Sequence, residues 1–197
     1  KLNPGANLPD MAIQVVHRTP GKGSNYIFSD FLSKASPEFR NEVGKSPSPK
    51  WPVGADANRG EDMVEKVSTT PGAIGYVELN FARRSDIGYG SVQNSAGHFV
   101  RATPESITAA CMAMEKSIPA DFGLSMAEAP GKESYPIASF TWIYVPLSGT
   151  QPERSRAVKE FLTWGLGDGQ NMARSMGYAT LPSAVLAKAK SALSSIQ

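Results

Sequence analysis

The fold is decided by the stretch Val15-Val16-His17-Arg18-Thr19-Pro20-Gly21-Lys22-Gly23-Ser24-Asn25-Tyr26. An apolar run from Ala12 to Val16 predicts a short buried strand, and Thr19-Pro20-Gly21 then forces a turn. Ser24 opens a helical pattern in which one side is apolar: Ile27, Phe28, Phe31 and Leu32. The stretch therefore predicts a strand whose carboxyl end leads through a glycine loop into the N-terminus of a helix.

A loop of this kind suits an oxyanion, because the first amides of a helix have no intrahelical acceptor and the helix dipole is positive there. Gly21 and Gly23 would let the backbone come close, and Ser24 offers its hydroxyl and its N–H. Arg18 supplies a planar fork for two oxygens, and Lys22 adds a mobile positive charge. A strand, a glycine turn and a serine cap also occur in any α/β protein, so local spacing leaves a purely structural interpretation open.

The composition is that of an ordinary globular protein. A chain of 197 residues, 41% of them hydrophobic, can bury one sizeable core or two small lobes. The net charge is only +2, from 20 Lys and Arg against 18 Asp and Glu, so bulk charge predicts no nucleic-acid partner and no membrane surface. Cys111 is the single cysteine, which excludes an intrachain disulfide, and its helical spacing to Ile107 and Met114 favours a core position over a nucleophile.

The remaining elements predict an α/β architecture, in which strands are separated by helices. Lys45 to Ala57 is too rich in proline for a central strand and predicts a surface loop. Further strands are predicted at Ala73–Val77 and Ile137–Val145, with a small hairpin over 89–100. Helices are predicted from the cap and periodicity signals after Ser36, from Gly60 to Pro71, from Thr103 to about Lys116, and over 151–164, 168–176 and 182–193.

Residues that would carry catalysis or bind a metal are scarce. His17 and His98 are too few and too isolated for a zinc site, and Ser24 lacks a Gly-x-Ser-x-Gly context. The carboxylates are scattered, so a glycosidase pair cannot be assigned. We therefore predict no metal, no cofactor and no catalytic residue, and an enzyme acting on phosphate esters is disfavoured.

Several stretches resemble one family, and they run in the family's order along the whole chain. They are Leu2-Asn3-Pro4-Gly5, Val15-Val16-His17-Arg18 followed by Gly21-x-Gly23-Ser24, Trp51-Pro52-Val53-Gly54, Pro71-Gly72-Ala73-Ile74-Gly75-Tyr76-Val77-Glu78, and Gly177-Tyr178-Ala179-Thr180-Leu181-Pro182. In these stretches the chain resembles the phosphate-binding proteins of bacterial ABC phosphate importers, which are periplasmic two-lobed proteins of the PstS type. The resemblance implies an α/β fold of the type II periplasmic-binding-protein kind.

The resemblance also implies a function and a site. Inorganic phosphate would be held between two lobes by Arg18, by Gly23 and Ser24 at the helix start, and by the residue at the Lys22 position. The protein would be exported to the periplasm, although this chain shows no signal peptide, and would deliver the anion to an ABC permease in the inner membrane. Where the family usually has Asp-Gly-Ser-Gly-Thr, this chain has Pro20 to Ser24. A hydroxyl donor is thereby replaced by a cation, and one carboxylate is lost.

The family's opening portion has no counterpart in this chain. Residues 1–136 resemble the second lobe without its earliest segment, and residues 137–197 resemble the C-terminal segment that returns to the first lobe. We therefore expect a fragment or a proteolytic remnant, completed by the missing N-terminal segment or by a swapped copy. Without the first lobe's contacts, which include a carboxylate that accepts the ligand's proton, we expect about millimolar affinity and poor selectivity.

A second hypothesis comes from a different class of function. The chain would be a paralogue that keeps the scaffold as a secreted interaction or surface protein with weak or altered anion binding. Lys22 and Pro20, which depart from the family's loop, favour it.

Overall fold

The computed structural model describes residues 2–146 and 151–196. The chain forms two compact units, residues 1–89 and residues 90–197. The assignment of residues 1–136 and 137–197 to two lobes stays a prediction, since compactness alone does not identify a lobe.

The first unit is built on a parallel sheet of three strands in the order β2-β1-β3. The central strand β1 (Gln14–Arg18) pairs with β2 (Ala55–Ala57) on one side and with β3 (Ala73–Ile74) on the other. Parallel strands need crossover connections, and helices supply them. They are α1 (Gly23–Ala35) and α2 (Pro37–Glu42) between β1 and β2, and α3 (Gly60–Thr69) between β2 and β3, while α4 (Leu79–Arg84) follows β3.

The core of this unit lies between the sheet and α3. Val16, Ala57 and Met63 are each buried and pack together, with Val67, Ala73 and Val77 around them. Gly60, the first residue of α3, is buried against the ring of Phe81 in α4, and a Cβ there would lie 2.7 Å from ring carbons. The close approach of α3 and α4 therefore requires glycine at this position.

Over residues 90–146 and 151–196, the second unit joins a short hairpin to four α-helices. Strands β4 (Ser91–Gln93) and β5 (Phe99–Arg101) pair antiparallel. The helices are α5 (Pro104–Met114), which a 3₁₀ turn extends over Glu115–Ser117, and α6 (Pro152–Gly165), α7 (Gly169–Ser175) and α8 (Ser183–Ser194). Their core includes Ala110, Cys111, Ile118, Met126, Ala129, Ala138 and Val185. Burial raises the pKa of the Cys111 thiol to about 11, so the side chain is neutral at pH 7 and packs as the predicted core residue.

Most of the predicted elements are present, with ends displaced by a few residues. Ser36 caps α2 as predicted, since its side chain accepts a hydrogen bond from the amide of Phe39 at 3.1 Å. The surface loop predicted over Lys45 to Ala57 is wrong for its last three residues, because these form the edge strand β2 just beyond the prolines. The strand predicted at Ala73–Val77 is shortened to Ala73–Ile74.

The strand predicted at Ile137–Val145 is wrong. Within the described residues, this segment takes no part in a sheet, and Ile143 and Tyr144 are 63% and 93% exposed. Trp142 anchors it to the second unit by donating from Nε1 to the carbonyl of Phe122 at 2.9 Å. An apolar, β-branched run becomes a strand only where another strand satisfies its backbone groups, and none of the strands described in this unit does so.

Candidate functional site

The candidate site lies at the carboxyl edge of the three-stranded sheet, where the loops following all three parallel strands meet. Arg18 is the last residue of β1, Asn58 follows β2, and Glu78 comes four residues after β3. The guanidinium of Arg18 contacts both: Nη2 donates to the carbonyl of Asn58 at 3.1 Å, and Nη1 lies 3.5 Å from Oε2 of Glu78. The cation therefore spans the ends of all three strands.

Arg18 is nearly inaccessible to solvent, at 7% exposure. Its Nε and Nη1 atoms are buried, and neither has a hydrogen-bond partner in the part of the chain that the structure describes. Nη1 still faces the carboxylate of Glu78 as an ion pair, but a buried charged donor without a hydrogen-bond acceptor is costly, because it has lost its water without a full replacement. A ligand that brings acceptor oxygens, such as an anion, would remove that cost.

A fully buried asparagine fixes the loop between β1 and α1. Asn25 is 0% exposed, and its Nδ2 donates to the carbonyls of Thr19 at 2.8 Å, Pro47 at 3.2 Å and Arg18 at 3.3 Å. Its Oδ1 accepts a hydrogen bond from the hydroxyl of Tyr76, which itself accepts from the amide of Arg18 at 3.1 Å. The backbone of Arg18 is thus held from both sides by Asn25 and Tyr76.

Tyr76 remains a hydrogen-bond donor throughout the neutral range. Burial raises the pKa of its hydroxyl above the ordinary value of 10, although the hydrogen bond from Arg18 and the charge of Arg18 act in the opposite direction. The phenol therefore keeps the proton that it donates to Asn25.

The start of α1 is open. The helix begins at Gly23 with Lys22 as N-cap, so Ser24 is its second residue and not its cap as the sequence suggested. The amides of Gly23 and Ser24 belong to the first turn and have no intrahelical acceptor. A Cβ built at Gly23 would meet no atom of the described residues within 4 Å. The first turn also carries no acidic side chain, so the positive end of the helix dipole is left for a ligand.

Gly21 stabilises the loop, whereas the sequence predicted that it would let the backbone approach an anion. Its φ of +81° is the left-handed conformation that favours glycine. Its amide donates to the carbonyl of Pro47 at 2.9 Å and to the hydroxyl of Ser48 at 3.0 Å. These bonds tie the loop to the proline-rich segment before β2, and the amide is consequently engaged in holding the loop.

His17 is held as a structural residue. Its ring stacks on Trp51 with centroids 5.7 Å apart, and Nδ1 lies 3.3 Å from the carboxylate of Asp56 in β2. Trp51 in turn contacts the rings of Phe28, Phe39 and Tyr76. This aromatic cluster packs the tryptophan of the proline-rich segment against α1 and the sheet.

The structure thus places Arg18 at the end of β1 and Lys22, Gly23 and Ser24 at the start of α1. All four lie in the strand-loop-helix stretch on which the sequence prediction was based. Sequence reasoning missed Asn25, Asn58 and Tyr76 as supporting residues. In residues 2–146 and 151–196, no group of three or more His, Cys, Asp or Glu side chains could hold a metal ion. Nor is any helix there both long and apolar enough to cross a lipid bilayer.

Comparisons with known proteins identify the family of the chain. The model of the PBP superfamily domain matches residues 4–168. Phosphate-binding protein PstS of Pasteurella multocida is 36% identical over 188 residues, which are 95% of this chain and 55% of that protein. Phosphate-binding protein PstS of Xylella fastidiosa strain Temecula1 is also 36% identical, over 91% of this chain and 50% of that protein. The chain therefore spans about half the length of these relatives.

A solved structure shows the same fold. It is a high affinity periplasmic phosphate-binding protein (PfluDING) bound with phosphate, matched with a TM-score of 0.66 at 16% identity over 91% of this chain and 57% of that one. The match confirms the predicted α/β fold of the periplasmic-binding-protein kind. With its family model covering residues 4–168, the chain belongs to the PBP superfamily, and its curated relatives are PstS phosphate-binding proteins.

Proposed function

We propose that the protein carrying this chain binds inorganic phosphate in the periplasm and delivers it to an ABC-type phosphate import permease. The observation that carries the proposal is the buried guanidinium of Arg18, whose Nε and Nη1 have no hydrogen-bond partner among the described residues. It stands at the end of the strand that leads into the open start of α1. The relatives named phosphate-binding protein PstS support phosphate as the anion.

In this proposal four residues bind the anion. Arg18 contributes charge-assisted hydrogen bonds, Gly23 and Ser24 contribute the free amides of the first helical turn, and Ser24 adds its hydroxyl. Lys22, half-buried at the N-cap, contributes a positive charge. All four are donors, as binding of an anion requires, and the role is one of binding and not of catalysis.

We also propose that more protein completes the site, either a further segment of the same protein or a swapped second copy. The relatives are about twice as long as the matched part. Helices α6 and α7, with the C-cap residue Met176 of α7, expose large apolar side chains, which we call the α6–α7 apolar residues: Phe161 at 64%, Trp164 at 43%, Met172 at 55% and Met176 at 59%. Soluble proteins seldom leave so much apolar surface unpartnered, which supports a covering partner.

Titration calorimetry with phosphate and with sulfate tests the function. Each charge-assisted contact contributes about 1.5–3 kcal/mol, so Arg18→Ala should weaken phosphate binding by about 10- to 100-fold. Arg83→Ala is the matched control, because this arginine is exposed in the last turn of α4. Equal weak heats for both anions, or the same affinity for the two variants, would contradict the proposal.

The alternative function is that of a secreted interaction or surface protein on the same scaffold. The observation that favours it is the loop itself, where Pro20 and Lys22 stand in place of an acidic residue and a hydroxyl. Arg18→Ala separates the two functions. An importer component would lose anion binding with this substitution, whereas an interaction protein would keep its partner.

A further inference from the structure

The backbone amide of Arg18 is bound by a side chain at a point where the neighbouring strand has already ended. Strand β3 pairs with β1 at Gln14 and Val15 and ends at Ile74, so it does not reach the level of Arg18. The amide of Arg18 donates instead to the hydroxyl of Tyr76 at 3.1 Å. A backbone N–H removed from water needs an acceptor, and here a phenol supplies it in place of a strand carbonyl.

Aromatic packing holds the ring of Tyr76. The ring stacks on Phe28 of α1 with centroids 4.2 Å apart and an interplanar angle of 22°, and its centroid lies 6.0 Å from that of Trp51. The hydroxyl also donates a hydrogen bond to Oδ1 of Asn25. The ring contacts and the bond to Asn25 therefore fix the position of the phenol oxygen without any contribution from Arg18.

The backbone position of Arg18 matters because its guanidinium is a planar group whose donors point in fixed directions. Nη2 is occupied by the carbonyl of Asn58 at 3.1 Å, while Nε and Nη1 are buried without a hydrogen-bond acceptor among the described residues. A donor binds an oxygen only over a narrow range of distances and angles. A shift of the end of β1 would therefore move these donors away from the anion and weaken its binding.

We infer that Tyr76 is a positioning residue of the anion site: its hydroxyl holds the backbone of Arg18 and thereby sets the affinity of the site for phosphate. The inference rests on the proposed function, because it concerns the anion that Arg18 binds. It adds to the four proposed ligand residues one that acts through Arg18, from 58 positions further along the chain.

The phosphate affinity of the full chain, measured by titration calorimetry, tests the inference. Tyr76→Phe keeps the ring that stacks on Phe28 and removes the hydroxyl, so phosphate should bind about tenfold more weakly, which corresponds to the loss of about one hydrogen bond. Tyr144→Phe is the matched control, because it removes a hydroxyl from a side chain that is 93% exposed, and it should leave the affinity unchanged. Equal affinities of the two variants would overturn the inference.

A second pair of variants separates the positioning of Arg18 from a general structural role. Arg18→Lys replaces the planar fork by a point charge on a flexible stem, whose contribution depends less on where the backbone lies. In the Arg18→Lys background, Tyr76→Phe should therefore weaken phosphate binding by less than about twofold. The same tenfold loss in both backgrounds would show that Tyr76 only supports the fold, and would overturn the inference.

Failure of the inference and failure of the proposed function are distinguishable. If the unmodified protein binds no phosphate, both fail. If it binds phosphate and Tyr76→Phe binds it equally well, the inference alone fails and the proposed function still stands.

Circular dichroism checks folding, and if Tyr76→Phe does not fold, hydrogen exchange of the unmodified protein replaces it. A hydrogen bond that favours phosphate binding is itself favoured by bound phosphate, because coupling is reciprocal. Phosphate should therefore slow the exchange of the Arg18 amide more than that of the Met63 amide, which donates within the first turn of α3 to the carbonyl of Arg59. Equal slowing of the two amides would overturn the inference.

Discussion

Asn25 is the residue on which the geometry of the binding loop depends most. It is fully buried, donates from one nitrogen to three backbone carbonyls and accepts from the hydroxyl of Tyr76. Through these bonds Asn25 connects the end of β1, the segment before β2 and Tyr76, which follows β3. Removing this side-chain amide would leave several buried polar groups without partners at once. The loss of stability should therefore exceed that of breaking any single one of these hydrogen bonds.

We predict that Asn25→Ala lowers the free energy of unfolding by about 2–4 kcal/mol, the range for breaking a buried hydrogen-bond network. The loss follows from carbonyls and a phenol left without partners. Urea denaturation followed by tryptophan fluorescence measures it. Asn41→Ala, at an exposed position in α2, is the control and should stay within about 0.5 kcal/mol of the unmodified protein. Equal midpoints for the two variants would show that the network carries no stability.

At the scale of elements, α3 begins with a side-chain arrangement that makes its stability depend on pH. Asp62 accepts a hydrogen bond from the amide of Arg59 at 3.0 Å and pairs with the Arg59 guanidinium, also at 3.0 Å. The side-chain hydrogen bond from Arg59, followed by the one from its amide, lowers the pKa of Asp62 below the ordinary value of 3.8. The carboxylate also lies at the positive end of the helix dipole.

We predict that Asp62→Asn destabilises the protein at pH 7 and that this difference disappears in acid. Because the pKa of Asp62 is lower in the folded state than in the unfolded one, its stabilisation is present above about pH 4 and is lost as the pH falls through the folded value. Urea midpoints at pH 7, 5, 4 and 3 measure the effect. Glu65→Gln on the same helix is the control, and parallel curves for Asp62→Asn and the unmodified protein would contradict the prediction.

The elements differ in how well the sequence could predict them. The reason is the distance along the chain between the residues whose interactions form each element. Helix α2 and helix α5 carry their start signals in adjacent residues, Ser36-Pro37 and Thr103-Pro104, and both caps form as expected. The segment Ile137–Val145 has the composition of a strand, but pairing requires a neighbour that composition cannot supply. Strand β2 was missed for the opposite reason, since three unremarkable residues form a strand because β1 lies beside them.

For the molecule as a whole, the same distinction separates the predicted from the unpredicted parts of the site. Arg18, Lys22, Gly23 and Ser24 are neighbours in sequence, so a strand-loop-helix pattern was enough to bring them together. Asn58 and Glu78 reach Arg18 from 40 and 60 positions further along the chain, and only the parallel order β2-β1-β3 puts them there. One feature of the sequence could have indicated that Asn25 is buried: it is a polar residue in helical register with Phe28 and Leu32 on the apolar side of α1.

The α6–α7 apolar residues supply the prediction that belongs to the whole molecule. Phe161 and Trp164 lie one helical turn apart with ring centroids 5.8 Å from each other, and both are largely exposed. Burying such aromatic surface is favourable by about 25 cal/mol per Å², so in the absence of other protein the chain should associate with itself. Sedimentation velocity at increasing concentration measures the association.

We expect Phe161→Glu to shift the protein toward monomer, because it places a charge in the surface to be buried. Phe99→Glu is the matched control, since Phe99 in β5 is similarly exposed, at 52%, but lies outside the α6–α7 apolar residues. If both variants sediment like the unmodified protein, these residues are not a contact surface between copies. Only the proposal that a further segment of the same protein covers them would then remain, and joining that segment to this chain should lower its binding of a hydrophobic dye.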